Sequence, residues 1–148
     1  MSTELPDRFH ERLIVDCPDA VIYADAAGAI RYWNAAATRI FGFTEAEALG
    51  ARLDIIIPDR LRIRHWEGYD KVMGGTPSRY GEGELLAVPA LTKDGRQISV
   101  EFTIVALHDS AGAIVGIAAY LRDATKRFEE VRTLRRELSA ARSGGKTA

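Results

Sequence analysis

From Gln97 to Leu107 the chain alternates strictly, with Ile98, Val100, Phe102, Ile104 and Ala106 on one face and mostly polar residues on the other. A period of two over eleven residues is the signature of a long strand buried on one side. Such a strand needs partner strands at its edges and a layer of helices or sheet against its apolar face. Its neighbours in the chain supply the partners. Lys93-Asp94-Gly95 reads as a turn before it. The segment Glu82 to Leu91 is a candidate strand that Pro89 demotes toward an edge or a bulge. Asp109-Ser-Ala-Gly112 reads as a turn after it, and Ala113 to Arg122 as the last strand.

The first half is organised differently. Residues 1–5 read as a frayed tip, and Pro6 to Val15 as a short helix with Phe9, Leu13 and Ile14 on one side. Cys17-Pro18-Asp19 breaks it. Ala20 to Ala24 and Ala29 to Trp33 read as a hairpin across Asp25-Ala-Ala-Gly28, where Gly28 is free to take a positive φ. Asn34 is placed to cap a helix over Ala35 to Phe41 that Gly42 stops. Thr44 and Glu47 have capping-box spacing, with Gly50 ending that brief helix. Pro58 suits the start of a longer helix over Asp59 to Met73, ending at Gly74-Gly75. On it Leu61, His65, Tyr69 and Val72 form one stripe. Past the last strand, Phe128, Val131, Leu134 (or Arg135), Leu138 and Ala141 step by threes and fours from Thr125 to Arg142, a narrow seam fit for a coiled coil. Asp123 or Thr125 is expected to cap this helix. The expected fold class is α+β: an antiparallel sheet with helices on one face.

Bulk properties narrow the function. The 148 residues suffice for one domain with one core. The 20 Lys and Arg nearly balance the 21 Asp and Glu, so no global field points to nucleic acid or an anionic membrane. The apolar runs are too short to span a bilayer, and Met1 to Glu11 is no signal peptide. The expected location is cytoplasmic. The single Cys17 excludes an internal disulfide and a cysteine-rich metal site. Phosphate-loop, nucleophile-elbow, zinc-protease and dinucleotide-binding motifs are absent, and Gly81-Glu82-Gly83 has no phosphate-binding helix after it, so no enzyme is expected.

Several segments resemble the PAS family of sensory domains. Pro18-Asp19-Ala20-Val21-Ile22 followed by Asp25-Ala-Ala-Gly28 looks like the family's first hairpin. Trp33-Asn34-Ala35-Ala36-Ala37 and Phe41-Gly42-Phe43 look like its strand-to-helix junction. Lys93-Asp94-Gly95 looks like the turn before its penultimate strand, and Gly116-Ile117 with Arg122-Asp123-Ala124-Thr125 like its last strand and exit motif. The resemblance covers about residues 9–127. It implies a five-stranded antiparallel sheet, a small molecule or cofactor held between helices and sheet or a dimerisation role, and output through flanking helices. The organisation that follows is a flexible start at 1–8, a sensor at 9–124, a signalling and dimerisation helix at 125–142 and a flexible tail at 143–148. The expected partners are a second copy of the chain and a histidine kinase, diguanylate cyclase or transcription factor in two-component or transcriptional regulation. With no effector after Ser143-Gly-Gly145, the signal is expected to be read by a partner chain or through dimerisation.

Arg64-His65-Trp66-Glu67-Gly68-Tyr69 resembles the arginine-histidine segment of FixL-type haem PAS oxygen sensors. That likeness implies b-type haem with His65 as the proximal, metal-binding ligand and Phe102 and Ile104 on the distal side. Non-covalent attachment follows from the lack of C-x-x-C-H. The distal arginine of those sensors falls at Leu86, so a hydrogen bond to bound oxygen is lost, which favours carbon monoxide, nitric oxide, a redox role or no haem. Lys71 stands where a haem-edge arginine is found, and the loop Gly74 to Arg79 is one residue longer. Read from the residues alone, a histidine on an apolar helical face is often a core residue with one hydrogen bond, here to Tyr69 or a backbone carbonyl.

Trp66 reads as pocket wall or rim and Trp33 as packing at the junction. Cys17 reads as a partly buried thiol, because the light-sensing LOV class carries its cysteine on a mid-domain helix and Asp54 to His65 has none. His10 and His108 read as solvated, and Glu82, Glu84 and Glu101 as a solvated strand face. The arginines of the last helix are interspersed with Glu129, Glu130 and Glu137, which favours a coiled-coil face over DNA binding. The alternative to a cofactor sensor is a cofactor-free dimerisation or protein-interaction module.

Overall fold

The computed structural model describes residues 3–76 and 85–145. Its elements follow one another as α1 (Phe9–Val15), β1 (Ala20–Asp25), β2 (Ile30–Trp33), α2 (Ala35–Phe41), α3 (Glu45–Ala48), two 3-10 turns (Leu53–Ile56 and Asp59–Leu61), α4 (Arg62–Met73), β3 (Leu86–Leu91), β4 (Gln97–His108), β5 (Ile114–Asp123) and α5 (Thr125–Gly144). The α+β expectation holds. The expected strand start at Glu82, with Glu84 and Gly81-Glu82-Gly83, lies outside the described residues.

The five strands form one antiparallel sheet in the order β2-β1-β5-β4-β3. The chain's first and last strands meet at its centre, with Ala20 opposite Leu121 and Asp25 opposite Gly116. Pro89 lies in β3, which is an edge strand, where a missing N–H leaves no ladder bond unmade on the open side. The two D-x-x-G turns are built alike. Asp25 Oδ1 accepts from the backbone N–H of Ala27 and Ala29, and Asp109 Oδ1 from those of Ala111 and Ala113.

The helices cover one face. Ala20, Ile22, Ile30, Trp33, Ile98, Val100 and Leu121 from the sheet pack with Ala37, Phe41, Ala48 and Ile56. Burying such side chains stabilises by roughly 1.5–3 kcal/mol each. Along β4 the burial fades: Ile98 and Val100 are buried, Phe102, Ile104 and Ala106 are half-buried and Leu107 is exposed. Asn34 caps α2 as its spacing predicts, and does more. Its Oδ1 accepts from Ala37 N and Val21 N, while Nδ2 donates to the carbonyls of Ile14 and Asp19. One buried amide thus joins α1, the linker, β1 and α2. The Thr44–Glu47 capping box is present.

Three expectations need correction. The first helix starts at Phe9, not Pro6, and buries no residue; Leu13 and Ile14 are exposed. The long central helix starts at Arg62, because Asp59–Leu61 tightens into a 3-10 turn after Pro58. Neither Asp123 nor Thr125 caps α5 in the expected way, since the N-cap position is Ala124. Instead Asp123 Oδ1 accepts from Thr125 N, and Thr125 Oγ1 accepts from Ser99 N on β4, while Ala124 N donates to Ser99 O. The start of α5 is therefore tied to the beginning of β4.

Candidate functional site

The site begins with the stripe on α4. A second, smaller cluster forms where α4 meets the sheet: Ala24, Tyr69 and Ile117, with Leu53, Trp66, Val72, Met73 and Ile104 packed against them. Tyr69 is buried, and its hydroxyl reaches the carbonyls of Asp25 at 2.6 Å and Ala24 at 3.2 Å. Burial foremost, then the charges of Asp25 and Tyr23, pushes its phenol up to about 12.

Trp66 anchors the same helix one turn earlier. Its indole N–H donates to Asp54 Oδ1 at 2.8 Å, and Arg52 stacks on the ring with Cζ 4.1 Å from its centroid. Arg62 holds the neighbouring backbone by donating to the carbonyls of Ile57 and Asp54. The far edge of the indole lies on Gly28 in the first hairpin turn. A Cβ there would stand 2.2 Å from Cη2 and Cζ3, so only glycine admits the ring.

His65 packs against both anchors, whose rings also meet each other at 5.3 Å. Its ring stands edge-on to Trp66 (centroids 4.7 Å apart) and tilted against Tyr69 (5.8 Å). It is half-buried, and among the described residues its Nδ1 is a buried polar side-chain atom with no hydrogen-bond partner. At Nδ1 the expected bond to Tyr69 or a carbonyl is not made among the described residues; the Tyr69 O–H donates to β1 instead. Burial, the largest influence, holds the imidazole below its ordinary 6.5; Arg52 acts in the same direction and Asp54 against it. His65 is thus a neutral, apolar-walled imidazole at neutral pH.

The other expected site residues divide. Ile104 belongs to this cluster with Trp66 and Tyr69. Phe102 packs instead into the main core and pairs across the ladder with Leu86, which is half-buried at the start of β3. Lys71 is exposed on α4. A haem-ligating histidine is normally held by an acceptor on its second nitrogen, and the macrocycle needs a flat slot beside it. Here the buried Nδ1 has no acceptor. Against the ring stand Trp66 and Tyr69, both hydrogen-bonded elsewhere, and Leu53, Val72, Met73 and Ile104 pack with Tyr69 and Ile117. These residues as packed do not fit haem. No cluster of three or more His, Cys, Asp or Glu able to hold a metal is present among the described residues, and no described helix is long and apolar enough to cross a membrane.

Gly28, Arg52, Asp54 and the Asp25 carbonyl are the partners that sequence reading missed. They lie 12 to 44 positions from the residues they hold, and no local spacing links them. Trp33 packs at the junction as expected, its indole N–H donating to Thr38 Oγ1 and Phe43 O. Cys17 is half-buried, and His10 and His108 are exposed. Glu101 departs from the solvated reading: its side chain is only 15% exposed, facing Arg127 of α5 at 3.6 Å.

The comparisons agree with this architecture. The PAS fold family matches residues 16–129. An uncharacterized protein of Azorhizobium caulinodans is 35% identical over 119 residues, 80% of this chain and 16% of that protein. The sensor protein FixL of Bradyrhizobium diazoefficiens is 44% identical over 48 residues, 32% of this chain and 10% of that one. The chain thus spans under a fifth of either relative. The crystal structure of a PAS domain from Colwellia psychrerythraea superposes with a TM-score of 0.67 at 18% identity, covering 79% of this chain and 95% of that one. With sheet order, core and family match in agreement, the chain belongs to the PAS fold family, a fold of sensory domains.

Proposed function

We propose that this chain is a cofactor-free sensory and dimerisation module, with a sensor unit at 9–124 whose output leaves through the helix at 125–142. The observation that carries this is α5. Phe128, Val131, Leu134 and Leu138 are 53%, 39%, 62% and 52% exposed on a helix that buries nothing in its own chain. Exposed apolar stripes of this kind are partner surfaces. The helix starts at a junction bonded to β4 through Ser99 and Thr125, so movement of the sheet is transmitted to it. The partner is a second copy of the chain, with a histidine kinase, diguanylate cyclase or transcription factor as recipient. Sedimentation over a concentration series tests it. The expected result is a concentration-dependent dimer that Leu134→Glu dissociates; a monomer throughout, or a dimer indifferent to that substitution, overturns it.

A second reading has one observation in its favour. The buried, unpartnered Nδ1 of His65 is a group left for a ligand to satisfy, because an unmade buried hydrogen bond costs about 1–3 kcal/mol. Haem is the cofactor that the resemblance implies for that position, and it would enter only if Trp66 and Tyr69 moved from the packing described above. Purification with haem supplied, followed by an absorption spectrum, separates the readings. A Soret band that His65→Ala abolishes would replace the cofactor-free assignment.

A further inference from the structure

The charges of α5 are interspersed along the sequence but segregated around the helix. At the α-helical period, Arg132, Arg135, Arg136, Ser139, Arg142 and Ser143 fall within about 120° of one another, while Glu129, Glu130 and Glu137 fall outside that arc. Phe128, Arg132, Arg135, Ser139 and Arg142 step by fours and threes, a straight row running beside Leu134 and Leu138. From Arg132 to Arg142 the row spans about 15 Å. A cleft in it is lined by Arg135, Leu138, Ser139, Arg142 and Ser143. A solvated helix face is stabilised when acids and bases stand three or four residues apart, where they pair. This face does the reverse. Arg132 has Arg135 and Arg136 at those separations, and Arg135, Arg136 and Arg142 have no acidic residue at them. Among the described residues none of the four forms an ion pair, whereas Arg127 of the same helix faces Glu101. The helix dipole favours a cation in the last turn, which accounts for Arg142, but Arg132, Arg135 and Arg136 lie before that turn. Their mutual repulsion is not offset inside the chain.

The occupant that offsets this repulsion is anionic, and two features make it a helix of another protein. The alternation of fours and threes is the spacing at which a second α-helix repeats its own side chains along one stripe, so one stripe of carboxylates meets the whole row. Phe128, 53% exposed at the head of the row, adds an apolar contact to the charged ones. A nucleic-acid surface instead goes with a basic domain, and this chain has 20 Lys and Arg against 21 Asp and Glu. We infer that the Arg132–Arg142 face of α5 seats an acidic helix of the protein that receives the signal, with carboxylates spaced by threes and fours against Arg132, Arg135 and Arg142. This rests on the reading of α5 as the output element and not on its dimerisation, because the row lies outside the stripe of Val131, Leu134 and Leu138. Each guanidinium presents a planar fork that takes a carboxylate through two hydrogen bonds, and the Ser139 and Ser143 hydroxyls add donors between them.

The test uses the full chain and three labelled probes followed by fluorescence anisotropy. The first is a helical peptide of about six turns with glutamates in a row of fours and threes. The second has the same composition with the glutamates spread around the helix, and the third is a single-stranded oligothymidylate. The row peptide is expected to bind about tenfold more tightly than either of the others, and Arg135→Glu combined with Arg142→Glu to remove that advantage. Lys126→Glu, a charge reversal outside the basic arc, is expected to leave it unchanged. Circular dichroism confirms that each variant folds, and sedimentation is expected to give the double variant the same oligomeric state as the native chain. Equal binding of the spread peptide, tighter binding of the oligonucleotide, or a row peptide indifferent to the double reversal overturns the inference. So does a double variant that loses the native oligomeric state, which would place the row inside the dimer contact. A chain that is monomeric at every concentration yet binds the row peptide through Arg135 and Arg142 overturns the dimer reading and upholds this one.

Discussion

The contact of Trp66 with Gly28 offers the sharpest quantitative test of how α4 is held. Gly28 and Gly95 share the same backbone conformation, φ +81 in each, so Gly→Ala imposes the same left-handed strain of about 1–2 kcal/mol on both. Their surroundings differ. A Cβ at Gly95 meets nothing within 4 Å, whereas one at Gly28 would lie 2.2 Å from the Trp66 ring. The indole must then move and give up its hydrogen bond to the Asp54 carboxylate, a bond of about 1.5–3 kcal/mol. Gly28→Ala is expected to cost about 3–5 kcal/mol in all and Gly95→Ala about 1–2. Urea titration reads this directly. With a slope of about 2 kcal/mol per molar, the midpoint should fall by about 1.5–2.5 M for Gly28→Ala and about 0.5–1 M for Gly95→Ala. In a Trp66→Ala background the clash is gone, and the cost of Gly28→Ala should drop to that of Gly95→Ala. Equal midpoints for the two single variants would refute the reasoning, as would an undiminished effect without Trp66.

Asn34→Ala removes the cap of α2 and strands the Val21 N–H, and should destabilise by about 2–4 kcal/mol in the same titration. Tyr69 has its folded pKa raised from 10.0 to about 12, so the unfolded chain loses its proton first. Stability should fall as pH rises from 10 to 12, and that slope should flatten in Tyr69→Phe. His65 has its folded pKa lowered from 6.5, so the unfolded chain takes up a proton first as acid is added. Stability should fall below pH 6.5 in the native chain, and a pH series on His65→Leu should lack that component.

Much of the fold was legible because it is written in short-range pattern. The strand alternation, the D-x-x-G turns, the Asn34 cap, the Thr44–Glu47 box and the edge placement of Pro89 each depend on residues within a few positions of one another. The stripe on α4 was legible too, and Tyr69 is its buried centre. The stripe omitted Trp66, which lies one position past His65 yet makes the helix's most specific contacts, because those contacts are with Gly28, Arg52 and Asp54 rather than with α4 itself. The haem expectation rested on the identity of residues 64 to 69. What bears on it is the packing of Trp66 and Tyr69 beside His65, which spacing along one helix does not specify.

By itself the sequence determined the order of elements, the antiparallel sheet and the apolar seam of α5, because backbone period, turn chemistry and heptad spacing are local properties. Only the tertiary structure decided that β1 and β5 lie side by side at the sheet's centre, that the Tyr69 hydroxyl is taken by β1, and that His65 is left with a buried nitrogen and no partner. Each of these depends on which distant segment fills a given space, and close packing settles that for the whole core at once.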